Sequence, residues 1–428
     1  MNPQESQEAF VQRHLRRNII VQMAHGMLGQ TGFRLFNAPT FLPVYLYSLS
    51  GSEFFVGVAR SLQAVGQVLT PVIGASLIGH RTRMLNVSLV AGGLMRLQIL
   101  LIALCGIFLG NSRYGAWSVV FFMAMMGIFQ GMQGVMMNSL RAKVIPVNRR
   151  GFVTGWRNFL AGGTTAALSY FAGSYFIENR LLGNGYAALF LLAFVITTLG
   201  LFAFAMTREP ESAIVREREN ILESFSALPG LLRDNPAFAR FFMVAAMASF
   251  GRMAMPFYIL YAGSRMHISG VLLGSLTTMW MLTSTACNLV WGSVADQHGY
   301  RIVMVLTLAI WTLAHVELLL ANGIIGILAF FIMIGTAVGG FNQARQNLVL
   351  ELGADEDIPL RVATSNMAVN AIGAIGPLLG GAIAATVGYP AIFMLCVAIQ
   401  LVALVTLIGF VPEPRRMLVK IEVEDDDV

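Results

Sequence analysis

Long stretches of this chain carry no formal charge. Residues 114–140, 181–207 and 318–344 each run 27 positions without Asp, Glu, Lys or Arg; 266–295 runs 30 and 362–412 runs 51. A helix needs about 20 mostly apolar residues to cross the hydrocarbon core of a bilayer, so each run is long enough to span and the longest holds two spans. Dividing the apolar sequence at its polar loops predicts twelve spans, near 18–48, 54–79, 84–109, 115–140, 151–177, 185–207, 237–262, 270–295, 301–321, 324–350, 361–387 and 389–411. The short alternating strands of an outer-membrane barrel are missing from the pattern. The chain reads as an all-α polytopic membrane protein.

The longest polar stretch, 208–235, falls halfway along. It divides the chain into a six-helix half at 1–207, a cytoplasmic linker at 208–236, a second six-helix half at 237–411 and an acidic tail at 412–428. Within the linker, Ile214, Ile221, Leu222, Phe225, Leu228 and Leu232 fit one apolar face of a helix lying on the membrane, interrupted at Pro229. A tether without fixed structure fits the same residues.

Composition narrows the picture. Hydrophobic residues make up 56% of the chain and charged ones 12%, against about a quarter charged in a soluble domain, which excludes soluble and disordered classes. Cys105, Cys287 and Cys396 lie in separate apolar runs, a spacing that supports neither a disulfide framework nor a metal site. The two lysines, Lys143 and Lys420, stand outside any glycine-rich phosphate loop. No cofactor is implied. Nineteen basic residues fall on the loops and span ends that face the N-terminal side, three on the opposite loops and six within spans. The positive-inside rule then places both termini in the cytoplasm, as in a multi-pass protein of the cell (inner) membrane. The net charge of +6 is accounted for by these loops, and nucleic acid is not an expected partner. The polar 1–17 segment lacks a signal-peptide cleavage pattern.

The two halves repeat one another in order. Gly74, Arg83 and Arg34 have counterparts 218 positions on in Gly292, Arg301 and Arg252. Val153-Thr154 matches Ala363-Thr364 at 210 positions, and Glu209-Pro210 matches Glu413-Pro414 at 204. Parallel repeats of this kind are a transporter architecture. The stretch Gly292-Ser-Val-Ala-Asp296-Gln-His-Gly299-Tyr-Arg301 resembles the G-x-x-x-D-x-x-G-x-R loop signature of the major facilitator superfamily, at the place of that family's second copy. The first copy, Gly74 to Arg83, keeps the leading glycine and the basic residues but has Ile78 in place of the acid. The resemblance implies the major facilitator fold, twelve transmembrane helices in two pseudo-symmetric halves, and alternating access by a monomer. It also implies a gating role for Gly292, Asp296, Gly299 and Arg301. Glycine would allow close helix packing, and Asp296 near a helix N-terminus would gain about 0.3–1 kcal/mol from the dipole. A static loop contact is the alternative.

Charges inside spans need a cavity or a partner. Arg60 and Arg157 lie near enough to span ends to snorkel, and Arg96 and Glu317 fall in spans 3 and 9, which the family fold places at the periphery. Arg34 and Arg252 are the repeat-related pair, in spans that the family fold turns to its cavity. Gln30, Arg34 and Asn37 share a face of span 1, and Asn342 and Arg345 share one on span 10. Asn370 belongs to a polar face of span 11 with Asn366. Guanidinium forks suit carboxylates and phosphates. The layout is similar to the organophosphate-type anion exchangers of the superfamily, which implies a small organic anion as substrate, held by Arg34, Arg252, Gln30, Asn37, Asn342, Arg345 and Asn370. An interdomain latch is the other reading of the arginine pair.

Multidrug efflux by proton antiport is the alternative function. Its R-x-x-Q-G motif would place arginine where Gln130 stands, and the GP-x-x-GG motif at Gly376–Gly381 lies in span 11 rather than span 5. Candidate coupling groups are Glu317, His315 and His25. No constellation of nucleophile, metal ligand or cofactor site points to an enzyme.

Overall fold

The structure, a computed structural model, describes residues 3–110, 112–211, 228–352 and 358–413. These residues are helical almost throughout, in the twelve spans of the sequence pattern, with no strand among them. Spans 3, 4, 6, 8, 9, 10, 11 and 12 are single helices: Leu85–Phe108, Arg113–Val144, Tyr186–Ala205, Gly270–His298, Tyr300–Leu320, Gly323–Glu351, Ile358–Thr386 and Tyr389–Phe410. The apolar face drawn through Ile214, Ile221, Leu222 and Phe225, and the acidic tail, lie outside the described residues; Leu228 and Leu232 belong to a short helix, Leu228–Asp234.

Four spans differ from the unbroken helices expected. Span 1 starts early, at Pro3, runs to Phe36, breaks at residues 37–40 and resumes as Phe41–Ser50. Pro39 explains the break, because a proline pushes the residue before it out of the helical region. Span 2 bends at Thr70, between Glu53–Leu69 and Pro71–Gly79. Span 5, Val147–Phe171, loosens into a π-helical turn, Ala172–Ile177. Span 7 comes in three pieces: Pro236–Ser249, a 3₁₀ stretch Phe250–Phe257, and Tyr258–Arg265. Pro256 lies in the 3₁₀ stretch; in a regular helix its ring would meet the carbonyl four residues back, that of Arg252. The two deep breaks therefore occupy matching places in the repeats, each beside the repeat-related arginine.

By its contacts the chain forms two compact units. One is Met1–Glu219 with Tyr258–Thr278; the other is Asn220–Phe257 with Met279–Val428. In the first unit, the start of span 8 lies against the end of span 5. Gly270 and Gly274 approach Gly173 so closely that any side chain at the three positions would overlap backbone. The Val271 amide donates to Glu178 Oε2 at 3.1 Å, Thr278 Oγ1 donates to the Ala166 carbonyl at 2.8 Å, and the Thr40 and Thr277 hydroxyls are hydrogen-bonded.

The repeated Glu-Pro pair has a structural role. Glu209 turns back after span 6 to the start of span 3. It accepts from the amides of Met84 at 2.8 Å and Leu85 at 2.9 Å, and from Lys143 Nζ at 2.8 Å. A carboxylate there meets the unpaired amides and the positive end of the helix dipole. In the second unit the Glu413 carboxylate lies against Gly299, at the start of span 9. Gly299 has φ of 85°, a conformation that favours glycine.

The Lys143 and Glu209 side chains are only 6% and 3% exposed. Removing one partner of a buried pair leaves the other charge uncompensated, at a cost of about 3–5 kcal/mol. Glu209→Ala should therefore lower the melting temperature of the purified protein by many degrees. Adding Lys143→Met should recover part of that loss, leaving the cost of the uncapped amides; equal melting of single and double variants would show that the pair itself contributes nothing.

Candidate functional site

The polar positions of the spans meet in small hydrogen-bonded groups in each unit. In the first unit Arg34 Nη2 donates to Gln30 Oε1 at 3.0 Å, one turn back along span 1. Asn37, at the break, closes a triangle with span 2. Its Oδ1 accepts from Arg60 Nη1 at 3.1 Å and Gln63 Nε2 at 2.9 Å, and Arg60 Nη1 also reaches Gln63 Oε1 at 3.1 Å. Arg60 is thus held in a polar network instead of snorkelling. Gln67 donates to Gln130 Oε1 of span 4 at 2.7 Å. Spans 2 and 4 come this close because Gly127 and Gly131 lie directly on the backbone of Gln63 and Gln67, whereas Gly134 borders open space.

In the second unit Arg252 Nη2 donates to Asn342 Oδ1 at 2.6 Å, joining span 7 to span 10. Arg345, 5% exposed, reaches from span 10 to span 11, with Nη1 at 3.1 Å from both Ser365 Oγ and Asn366 Oδ1. The two guanidinium groups feel one another's charge. The Nε of each is buried without a hydrogen-bond partner, and neither forms an ion pair among the described residues. Asn370, one turn beyond Asn366, is exposed and outside this network. Ser365 escaped the sequence reading, although it adjoins a residue that had been singled out. Arg361, counted there among the loop bases, is fully buried.

The loop signature is built differently from its sequence reading. Asp296 lies in the last turn of span 8, not at a helix N-terminus, and is exposed. Gly292 has only Gln343 at ordinary van der Waals distance, so close packing does not require it, whereas Gly74 in the first copy lies on the backbone of Met132. Arg301 caps the end of span 12, donating to the Val411 carbonyl at 2.6 Å and the Ile408 carbonyl at 2.7 Å. Its counterpart Arg83 instead pairs with Glu211 at 2.9 Å, both exposed.

The sequence profile of the Major Facilitator Superfamily matches residues 26–261 and 241–425. The chain belongs to this superfamily. It is 24% identical over 421 residues to the multidrug resistance protein MdtG of Escherichia fergusonii, covering 94% of this chain and 95% of that one. Its fold is similar to a variant of the nucleoside transporter NupG, with a TM-score of 0.72, 12% identity and coverage of 92% and 99%. It is likewise similar to a D-xylose–proton symporter, with a TM-score of 0.71, 13% identity and coverage of 94% and 99%. It is therefore a multi-pass membrane transporter for small molecules.

Of the candidate coupling groups, the two histidines are buried and Glu317 borders a groove. His25 is buried, with Nδ1 donating to the Gly200 carbonyl at 2.8 Å and Nε2 facing Met137 Sδ at 3.2 Å. His315 is fully buried beside the Phe393 ring. Glu317 lines a groove of about 540 Å³ with Leu313, Val316, Leu320, Gly326 and Met333, near the end of span 9. Arg96 ties span 3 to span 6 through the Thr197 carbonyl at 2.7 Å and is 3% exposed.

The glycine contacts set a clear contrast. Gly127→Leu should push span 2 off span 4 and sharply reduce the yield of folded protein in size-exclusion chromatography, by the overpacking penalty of about 1–3 kcal/mol or more. Gly134→Ala, facing open space, should leave the yield at the parent's level. Equal yields from the two variants would mean that the span 2–span 4 approach is not what the glycines serve.

Proposed function

We propose that this chain is a secondary transporter that moves a small organic anion across the cell membrane by alternating access, working as a monomer with both termini in the cytoplasm. The observation that carries the reading is the pair of arginines, the buried Arg345 and the partly buried Arg252, answered among the described residues only by the neutral oxygens of Asn342, Ser365 and Asn366. A buried charge without a counter-charge is costly, and a bound carboxylate or phosphate supplies that charge together with acceptors for the idle Nε hydrogens. Arg34, in the same register of the first repeat, is assigned the same role with Gln30 and Asn37, and Asn370 borders the site. The exposed Asp296, with Gly292, Gly299 and Arg301, is assigned to gating.

The second reading is multidrug export by proton antiport, favoured by the full-length similarity to a multidrug resistance protein. A cation exporter coupled to protons needs a carboxylate in its cavity spans. Here the acids of spans 1, 2, 4, 5, 7, 8, 10 and 11 fall at their ends, and Glu317 lies in span 9. That distribution favours the anion.

Competition and charge substitution test the choice. Arg252→Lys and Arg345→Lys should each weaken anion binding about 10- to 100-fold, as loss of a charged hydrogen bond worth about 1.5–3 kcal/mol implies. Asn342→Asp, which places a fixed carboxylate beside Arg252, should abolish anion transport in proteoliposomes while preserving or raising thermal stability. Unchanged anion uptake in Asn342→Asp, or transport of lipophilic cations that anions do not inhibit, would overturn the anionic reading.

A further inference from the structure

Among the described residues no acid pairs with three arginines of the first unit, two of which stand within Coulombic reach of the third. Arg157, on span 5, lays its side-chain stem across Gly26 of span 1, so closely that a Cβ at Gly26 would overlap Arg157 Cγ and Cδ. Arg157 stands within Coulombic reach of Arg141, in the last turn of span 4, and of Arg34. Gly26, Gln30 and Arg34 follow one face of span 1, over about 12 Å at 1.5 Å per residue. Arg34 leans back along this face to Gln30, in the direction of Arg157. The ends of spans 4 and 5 are fixed by the apolar cluster of Leu140, Val144, Ile145 and Val153, against which Ile19 and Met23 of span 1 pack.

None of the three forms an ion pair among the described residues. Glu209, the acid that follows span 6, is taken by Lys143 and by the amides of span 3. His25, next to Gly26, has both ring nitrogens engaged elsewhere. The Nε atoms of Arg141 and Arg157 are both buried without a hydrogen-bond partner. Like charges held together in a medium of low dielectric repel, and buried donors without acceptors cost free energy. An oxyanion relieves both at once, because its oxygens accept from several guanidinium groups and its charge offsets theirs.

We propose that Arg141 and Arg157, with Gly26 beneath them, form a second anion site, contained in the first unit, for a phosphate-type oxyanion. Gly26 is a positioning residue in this site: its missing side chain is what admits the Arg157 stem. The proposal does not depend on the transported solute being an anion, because the oxyanion can be free in solution or the phosphate of an anionic lipid.

The test uses the full-length protein in nanodiscs. In pure phosphatidylcholine discs, pyrophosphate is titrated against the melting temperature, which a ligand bound only by the folded state raises. The parent should show a saturable rise. Arg157→Gln should shift its midpoint at least tenfold upward, and Arg157→Lys should recover part of that shift. Gly26→Ala, which keeps every charge and displaces only the Arg157 stem, should shift it similarly, while Arg252→Lys should not. If phosphatidylcholine discs give no rise but phosphatidylglycerol is retained by the parent and lost from both Arg157→Gln and Gly26→Ala, the site holds a lipid phosphate. Parent-like midpoints and lipid retention in both variants would overturn the second site. A midpoint shifted by Arg252→Lys alone would do the same while leaving the transport site standing.

Discussion

A guanidinium group inside a bilayer has no water to hydrogen-bond, and this constraint arranges most of the polar structure of the protein. Each spanning arginine has five donors and one charge to satisfy. Arg96 is the structural solution: the carbonyls of Thr197 and Gly92 accept from it across and along the helices, and it ties two spans together. Arg301 does the same at a helix end. Arg252, Arg345, Arg141 and Arg157 are different, because their Nε atoms are buried and idle. The proposed binding roles of Arg252 and Arg345 rest on this difference between arginines whose Nε is satisfied and arginines whose Nε is not.

The backbone answers the same constraint. Non-helical backbone at membrane depth is tolerated where protein or a water-lined cavity can satisfy it, and transporters place broken helices at their substrate sites. Here the breaks at residues 37–40 and at Phe250–Phe257 follow or contain Arg34 and Arg252. Proline supplies the cause in both cases. The arginine then stands beside a proline-broken stretch instead of within a regular helix.

Much of this was legible in the sequence. Uncharged runs gave the number and order of the spans, and fixed separations between like residues gave the repeat. The breaks were less so: Pro39 and Pro256 stand in the sequence, yet apolar runs continue through them and outweigh a single residue in any pattern reading. Glu209 and Glu413 were visible as a repeated pair, but the capping of span 3 by Glu209 and the approach of Glu413 to the start of span 9 depend on a chain reversal that no local pattern encodes. The stem of Arg157 over Gly26 is the extreme case. The two residues are 131 positions apart, and nothing in either segment says that an arginine placed to snorkel turns inward because its neighbour has no side chain.

The charge distribution also bears on how transport is driven. On the anionic reading, the site around Arg252 and Arg345 is strongly positive when empty and close to neutral when loaded. Carrying uncompensated charge through a change of access is unfavourable, by desolvation and, across a polarised membrane, by about 2.3 kcal/mol per elementary charge per 100 mV. A carboxylate that gained and lost a proton beside the arginines could relieve the empty state, but none stands in spans 7 or 10 within a turn of them. The anion itself is then the group whose presence makes reorientation inexpensive. A transporter built this way returns most readily with an anion bound, so on the anionic reading the lack of an acid within a turn of Arg252 and Arg345 in spans 7 and 10 favours exchange of one anion against another.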